Sequence, residues 1–281
     1  MLFSRIVIVG MGLIGGSLGM AIRRKRLSRE VVGFSRTTST IRQAKQRGAV
    51  DWGTTDARRA VADADLVVLA GPVETIVPMG KRLATLMRRG AMLTDVGSTK
   101  QTIVRGLARL PRDINFVGAH PLAGSELRGI AAADPALYDD SVCVLTPTSQ
   151  TDRRALTAVR SLWAAVADRV MTMDPATHDR LVASASHLPH AVAFALMESI
   201  EPRARAVASR SFLDMTRIAK SNPELWDDIF LSNRAEVIAA IDRFIRHLTH
   251  VRALIAAADR AALRRLLAHA NRLRTHLCDC C

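Results

Sequence analysis

The chain has 281 residues, 49% apolar and 23% charged, a length and content that suit two packed domains and exclude a disordered or low-complexity chain. Its formal net charge is +14, yet Lys and Arg are scattered, with one block at Arg23-Arg24-Lys25-Arg26 and few aromatic residues between them, which argues against nucleic acid and for small anionic ligands. Besides Cys143, the cysteines crowd into Cys278, Cys280 and Cys281, a spacing that makes neither a disulfide framework nor a metal site, so a reduced, cytoplasmic chain without a metal is expected.

The first element is Arg5-Ile6-Val7-Ile8-Val9, a β-rich run that feeds into Gly10-Met11-Gly12-Leu13-Ile14-Gly15. In such a turn Gly10 permits the tight bend, Gly12 leaves no Cβ in the way of a pyrophosphate, and Gly15 lets the next helix pack closely. The N–H groups that open that helix, at Leu13 and Ile14, point at the anion. Residues 6–22 also outline a membrane anchor, but five glycines in 17 residues are wrong for a span, and no membrane partner is expected.

Strand candidates at 5–9, 31–35, 65–70, 91–96, 114–118 and 142–147 alternate with helical patterns such as 76–89 and 99–110. This predicts a Rossmann-type α/β dinucleotide-binding domain over 1–173, with ligands at the strand C-terminal ends. The second strand runs into Ser35, Arg36, Thr37 and Thr38, where an NAD-specific domain offers a carboxylate to the ribose. A cation with hydroxyls suits a 2′-phosphate instead, making NADP the expected cofactor and NAD the second choice. Gly71 and Pro72, after the strand 65–70, are placed on the nicotinamide side. Ser98 and Lys100 follow the next strand, and His120, locked by Pro121, ends the one after it.

Five motifs in order make the chain resemble the prephenate and arogenate dehydrogenases of tyrosine biosynthesis: Gly-Met-Gly-Leu-Ile-Gly-Gly-Ser-Leu at 10–18, Asp-Val-Gly-Ser-Thr-Lys at 95–100, Gly-Ala-His-Pro-Leu-Ala-Gly-Ser-Glu at 118–126, Ser-His-Leu-Pro-His at 186–190, and Asp-Met-Thr-Arg-Ile-Ala at 214–219 followed by Asn-Pro-Glu-Leu-Trp at 222–226. The resemblance implies that His120 takes the hydrogen bond and proton of the ring hydroxyl, and that Ser98 orients His120 and the nicotinamide. It also implies that Arg217 binds a substrate carboxylate, that Glu126 lies near the entrance, that His187 and His190 line the pocket and that Trp226 closes part of its wall. The chemistry suits these residue types. Prephenate carries a ring hydroxyl opposite a quaternary carbon bearing a carboxylate, so loss of hydride with a base at the hydroxyl lets carbon dioxide leave and the ring aromatise. The enzyme needs a base titrating near neutrality, an aligned nicotinamide and a cation for the dianion.

Asp214, three residues before Arg217, is spaced to steady its guanidinium. His187 and His190 share a helical face, and Pro189 between them is expected to kink or break that helix. His178, His247, His250, His269 and His276 read as ordinary helix residues. From 174 to 281 the chain reads as an all-α domain. Asp174-Pro175 and Asn222-Pro223 open helices, Ile229 to Ile255 reads as one long helix with a broad apolar stripe, and Asp259 caps a last helix. The resemblance implies a homodimer through this domain. Arogenate, in which an amine replaces the side-chain ketone, is the alternative substrate, and a dual cyclohexadienyl dehydrogenase is a variant of the same reading. A β-hydroxyacid or imine dehydrogenase would need a catalytic lysine in the helical domain, where Lys220 alone is available. A non-enzymatic cofactor sensor or nucleic-acid-binding module is the remote alternative.

Overall fold

Eight strands form one sheet in the computed structural model, which describes residues 1–111, 113–125 and 127–278. In chain order the elements are β1 (Phe3–Val9), α1 (Leu13–Arg24), β2 (Ser28–Phe34), α2 (Thr38–Gln46), β3 (Trp52–Thr54), α3 (Ala57–Val61), β4 (Leu66–Leu69), α4 (Val73–Ala84), β5 (Met92–Asp95), α5 (Gln101–Leu107), β6 (Asn115–Pro121), β7 (Val142–Thr146), α6 (Arg153–Val166) and β8 (Arg169–Thr172). The strand order is β3-β2-β1-β4-β5-β6-β7-β8, and its first six positions are those of a dinucleotide-binding sheet.

Alternation along the buried strands divides the core. Ile6 and Ile8 of β1 and Leu66 and Val68 of β4 face one apolar layer, with Leu18, Ile22 and Trp163 from α1 and α6. Val7, Val9, Val67 and Leu69 face the other, with Ile76, Leu83, Ile103 and Leu107 from α4 and α5. Strands covered on both faces read as continuous apolar runs, which is why β1 and β4 stand out in the sequence. Two strands were not expected: β3, three residues long, and the partly exposed β8. The sheet is also not wholly parallel, because β7 pairs antiparallel with β6 and β8 parallel with β7. The helices α4 and α5 are shorter than their sequence patterns.

Beyond β8 come α7 (Pro175–Val182), a π turn (Ala183–His187), α8 (Leu188–Ser199), α9 (Arg210–Thr216), a 3₁₀ turn (Arg217–Lys220) and α10 (Pro223–Ser232). The caps are as the sequence indicates: the Asp174 carboxylate accepts from the N–H groups of Ala176 and Thr177, and Asn222 from that of Glu224. Pro189 does not break the chain's helical course. The π turn before it absorbs the proline, widening the turn where the usual hydrogen bond is lost. The apolar stripe from Ile229 onward is not one helix either. Asn233 leaves helical geometry at φ −116° and ψ 30°, separating α10 from α11 (Arg234–Ala256).

Met1–Arg234 forms one compact unit and Ala235–Cys281 a second. The second contains most of α11 and α12 (Arg260–Cys278), whose first turn is capped by the Asp259 carboxylate at 2.9 Å from the N–H of Ala262. Ile238, Ile245, Leu248, Ile255, Leu267 and Leu273 of these helices are exposed. Among the described residues no helix is long and apolar enough to cross a membrane.

Candidate active site

The glycine turn lies where β1 ends. Gly10 adopts φ +98°, and a Cβ there would lie 2.6 Å from the carbonyl oxygen of Ala70; one at Gly15 would lie 2.1 Å from the carbonyl oxygen of Gly10. A Cβ at Gly12, by contrast, would meet nothing within 4 Å. Gly12 also precedes α1 with no side-chain cap and no acidic residue in the first turn, so no capping side chain occupies the opening N–H groups of Leu13 and Ile14. That is the cradle a pyrophosphate requires, and these residues fit a dinucleotide. Gly71 and Pro72 leave the adjacent β4 and lead into α4. At the end of β2, Ser35 is half-buried and Arg36, Thr37 and Thr38 are exposed, with no carboxylate among them. Thr37 caps α2, its hydroxyl accepting the N–H of Thr40 at 3.3 Å.

His120 ends β6 and is buried. Its Nδ1 lies 2.8 Å from Nε2 of His178, whose Nδ1 lies 2.8 Å from Oδ1 of Asp179. The Asp179 carboxylate also accepts the backbone N–H groups of Lys100 at 2.7 Å and Gln101 at 2.9 Å. Hydrogen-bond logic then fixes both rings. A carboxylate only accepts, so neutral His178 donates from Nδ1 and accepts at Nε2; His120 therefore carries its proton on Nδ1 and has its lone pair on Nε2. Burial, followed by the neighbouring His178, Lys100 and His187, holds the His120 pKa well below the usual histidine value. The result is a neutral imidazole with a fixed tautomer.

His178 is thus not the ordinary helix residue expected, whereas the other four histidines in that group are exposed. Only in the folded chain does α7 turn His178, Asp179 and Val182 inward, placing a charged residue on its buried face. Ser98 is half-buried between β5 and α5 and, among the described residues, makes no hydrogen bond to His120. The contact that orients the ring comes from His178.

A second group extends from there. His187, in the π turn, accepts a hydrogen bond at Nδ1 from Nδ2 of Asn233 at 3.3 Å, and the same amide donates to the carbonyl of Asp179 at 2.8 Å. Neutral His187 therefore carries its proton on Nε2. Burial holds its pKa down at about 4. Trp226 meets His187 edge-on, with ring centroids 6.0 Å apart, and stacks on His190 at 3.5 Å. His190 donates from Nδ1 to the carbonyl of Ser186 at 3.0 Å. Its pKa is lowered by burial and then by the Arg217 guanidinium, which the 3₁₀ turn brings beside α8. Asp214 also lies 3.9 Å from Arg210, where both side chains are exposed. Glu126 lies outside the described residues. Among those described, no group of three or more His, Cys, Asp or Glu residues could hold a metal.

A dinucleotide cradle and a neutral imidazole at the strand ends of one sheet define a nicotinamide-dependent dehydrogenase. Residues 18–172 match the family model for the prephenate dehydrogenase nucleotide-binding domain, and 174–269 the model for the prephenate dehydrogenase dimerization domain. The chain belongs to the prephenate dehydrogenase family. It is 33% identical to the prephenate dehydrogenase of Bacillus subtilis over 90% of this chain and 71% of that one. It is also 33% identical to the cyclohexadienyl dehydrogenase of Zymomonas mobilis, over 92% and 90%. Among solved structures, Aquifex aeolicus prephenate dehydrogenase in complex with hydroxyphenyl propionate and NAD+ superposes with a TM-score of 0.90 at 34% identity, covering 98% of each chain.

Proposed function

We propose that this chain oxidises and decarboxylates prephenate to 4-hydroxyphenylpyruvate, with NADP as hydride acceptor, as a cytoplasmic homodimer joined through its helical C-terminal part. One observation carries the reading: the Asp179–His178–His120 chain leaves the Nε2 lone pair of a buried, neutral imidazole as proton acceptor at the edge where the glycine turn lies. The matched dimerization domain and the exposed apolar residues of α11 and α12 support the homodimer.

A bound nicotinamide supplies the ring that accepts the hydride. The turn Gly10–Gly15 with Leu13 and Ile14 would hold the pyrophosphate, Ser35, Arg36, Thr37 and Thr38 would hold the 2′-phosphate, and Gly71 and Pro72 would line the nicotinamide side. His120 Nε2 takes the ring hydroxyl proton while the C4 hydrogen leaves as hydride. The bond to the ring carboxylate then breaks, its electron pair enters the ring as carbon dioxide departs, and His120 returns its proton to the ring oxygen. No net proton is consumed. Arg217 binds a carboxylate, His187 offers its Nε2–H to an acceptor, and His190 and Trp226 line the side-chain end, with Ser98 beside the base.

Arogenate is the second reading, and one observation favours it. His190 has committed its Nδ1–H to Ser186, so neutral His190 presents a lone pair that would accept from an ammonium. Steady-state comparison of prephenate and arogenate, each with NAD and NADP, separates the two. The highest kcat/KM is expected for prephenate with NADP. A preference for arogenate selects the second reading, and no turnover in any combination sinks both.

A further inference from the structure

Where β6 leaves β5, the ladder between them stops at Thr94 and Val117, and the next residues must find other partners on that side. Ala119, the residue before His120, finds them in side chains. Its N–H donates to Oδ1 of Asp95 at 3.2 Å, and its carbonyl accepts from Nζ of Lys100 at 2.8 Å. Asp95 and Lys100 are themselves ion-paired, and both side chains are fully buried. The Asp95 carboxylate further accepts the N–H of Gly97 at 2.9 Å. Burial raises the Asp95 pKa and lowers that of Lys100, and the ion pair together with the backbone donors on the carboxylate opposes both shifts.

Lys100 also reaches His120 by a second route. Its backbone N–H holds Asp179, the carboxylate that anchors His178 against the His120 ring. One residue therefore grips the main chain of His120 through Ala119 and its side chain through Asp179 and His178. Nothing in the hydride-transfer chemistry itself requires a buried ammonium there.

We propose that Lys100, held by Asp95, is a positioning residue that sets the placement of His120. The proposal rests on His120 being the base. His178 of α7, His187 of the π turn and Lys100 at the start of α5 act on the His120 ring, Asp179 and Asp95 act on His178, and Cys143 of β7, whose thiol pKa burial pushes up, meets the His120 backbone. Lys100 supplies the ammonium among them, and its charge opposes protonation of His120.

The test is Lys100→Gln, an uncharged donor of similar reach. kcat is expected to fall about 10²-fold, the cost of a base displaced by about 1 Å, while the KM for NADP stays within about twofold. The acid limb of kcat/KM should move to higher pH, and NMR titration of the cofactor-free protein should show the His120 ring taking up its proton at higher pH. Should Lys100→Gln not fold, Asp95→Asn with Lys100→Gln removes both buried charges together and is read the same way. A folded variant with parental kcat and acid limb overturns the proposal. So does a loss of kcat with an unmoved acid limb and an unmoved His120 titration, which marks a role in folding alone. His120→Asn, run alongside, separates the two claims. Parental turnover there sinks the base assignment, whereas lost turnover there beside a parental Lys100→Gln sinks only the role of Lys100.

Discussion

Arg217 and His120 meet different demands, and their replacement should separate them. Arg217 is exposed on a 3₁₀ turn, within electrostatic reach of the stacked His190. A guanidinium there can fork onto a carboxylate, and its contribution is made as much to the bound substrate as to the reacting state. Arg217→Ala is therefore expected to raise the KM for prephenate by about 10–100-fold, as for the loss of a charge-assisted hydrogen bond, and to leave the KM for NADP nearly unchanged. Equal effects on both in steady-state kinetics would mean a folding defect. His120→Asn removes the base, so its loss of about 10²–10⁴-fold should fall on kcat. His120 was legible because Gly-Ala-His-Pro sits at a strand end. Its partner was not, since His178 lies 58 residues away in sequence and only the folded chain brings them together.

At the scale of elements, the glycine turn separates two reasons for omitting a side chain. A Cβ at Gly15 would collide with backbone at 2.1 Å, whereas one at Gly12 would meet no protein atom within 4 Å. Gly15→Ala must then shift α1 from β1, and is expected to lower the melting temperature and weaken cofactor binding together. Gly12→Ala should keep the parental melting temperature and raise the KM for NADP, because its methyl enters space left for the pyrophosphate. Thermal unfolding with cofactor titration decides; a destabilised Gly12→Ala would mean the open space serves the fold instead. The elements that announced themselves are those with a local cause: apolar runs at β1 and β4, and caps at Asp174 and Asn222. The others answer to distant partners. β3 exists because Val32, Gly33 and Phe34 offer an edge to Trp52, Gly53 and Thr54. The break at Asn233 places a buried amide on Asp179 and His187, so a tertiary contact overrides the helical stripe.

Over the whole Met1–Arg234 unit, the site imposes a pH dependence on stability. His120, His178, His187 and His190 all have pKa values lowered chiefly by burial, that of His187 to about 4. In the unfolded chain each binds its proton near the ordinary histidine value of 6.5. Between that value and the folded one the unfolded state holds more protons, so the stability these neutral rings allow is complete above about pH 6.5 and is lost as pH falls. Asp65, lowered through its hydrogen bonds to Arg5, Ser4 and Arg88 against the opposing effect of burial, adds a further loss below the ordinary aspartate value of 3.8. The melting temperature should therefore drop from about pH 7 to about pH 5, and His187→Gln, which removes one site of proton uptake, should make the drop shallower. A chain with net charge +14 also repels itself more as its carboxylates are protonated. Salt distinguishes the causes: surface repulsion is screened over about 10 Å at about 0.1 M ionic strength, whereas the uptake of protons by rings released from burial is not. A drop that persists in high salt and shrinks in His187→Gln supports the buried histidines as its source; one abolished by salt and unchanged in the variant assigns it to the surface.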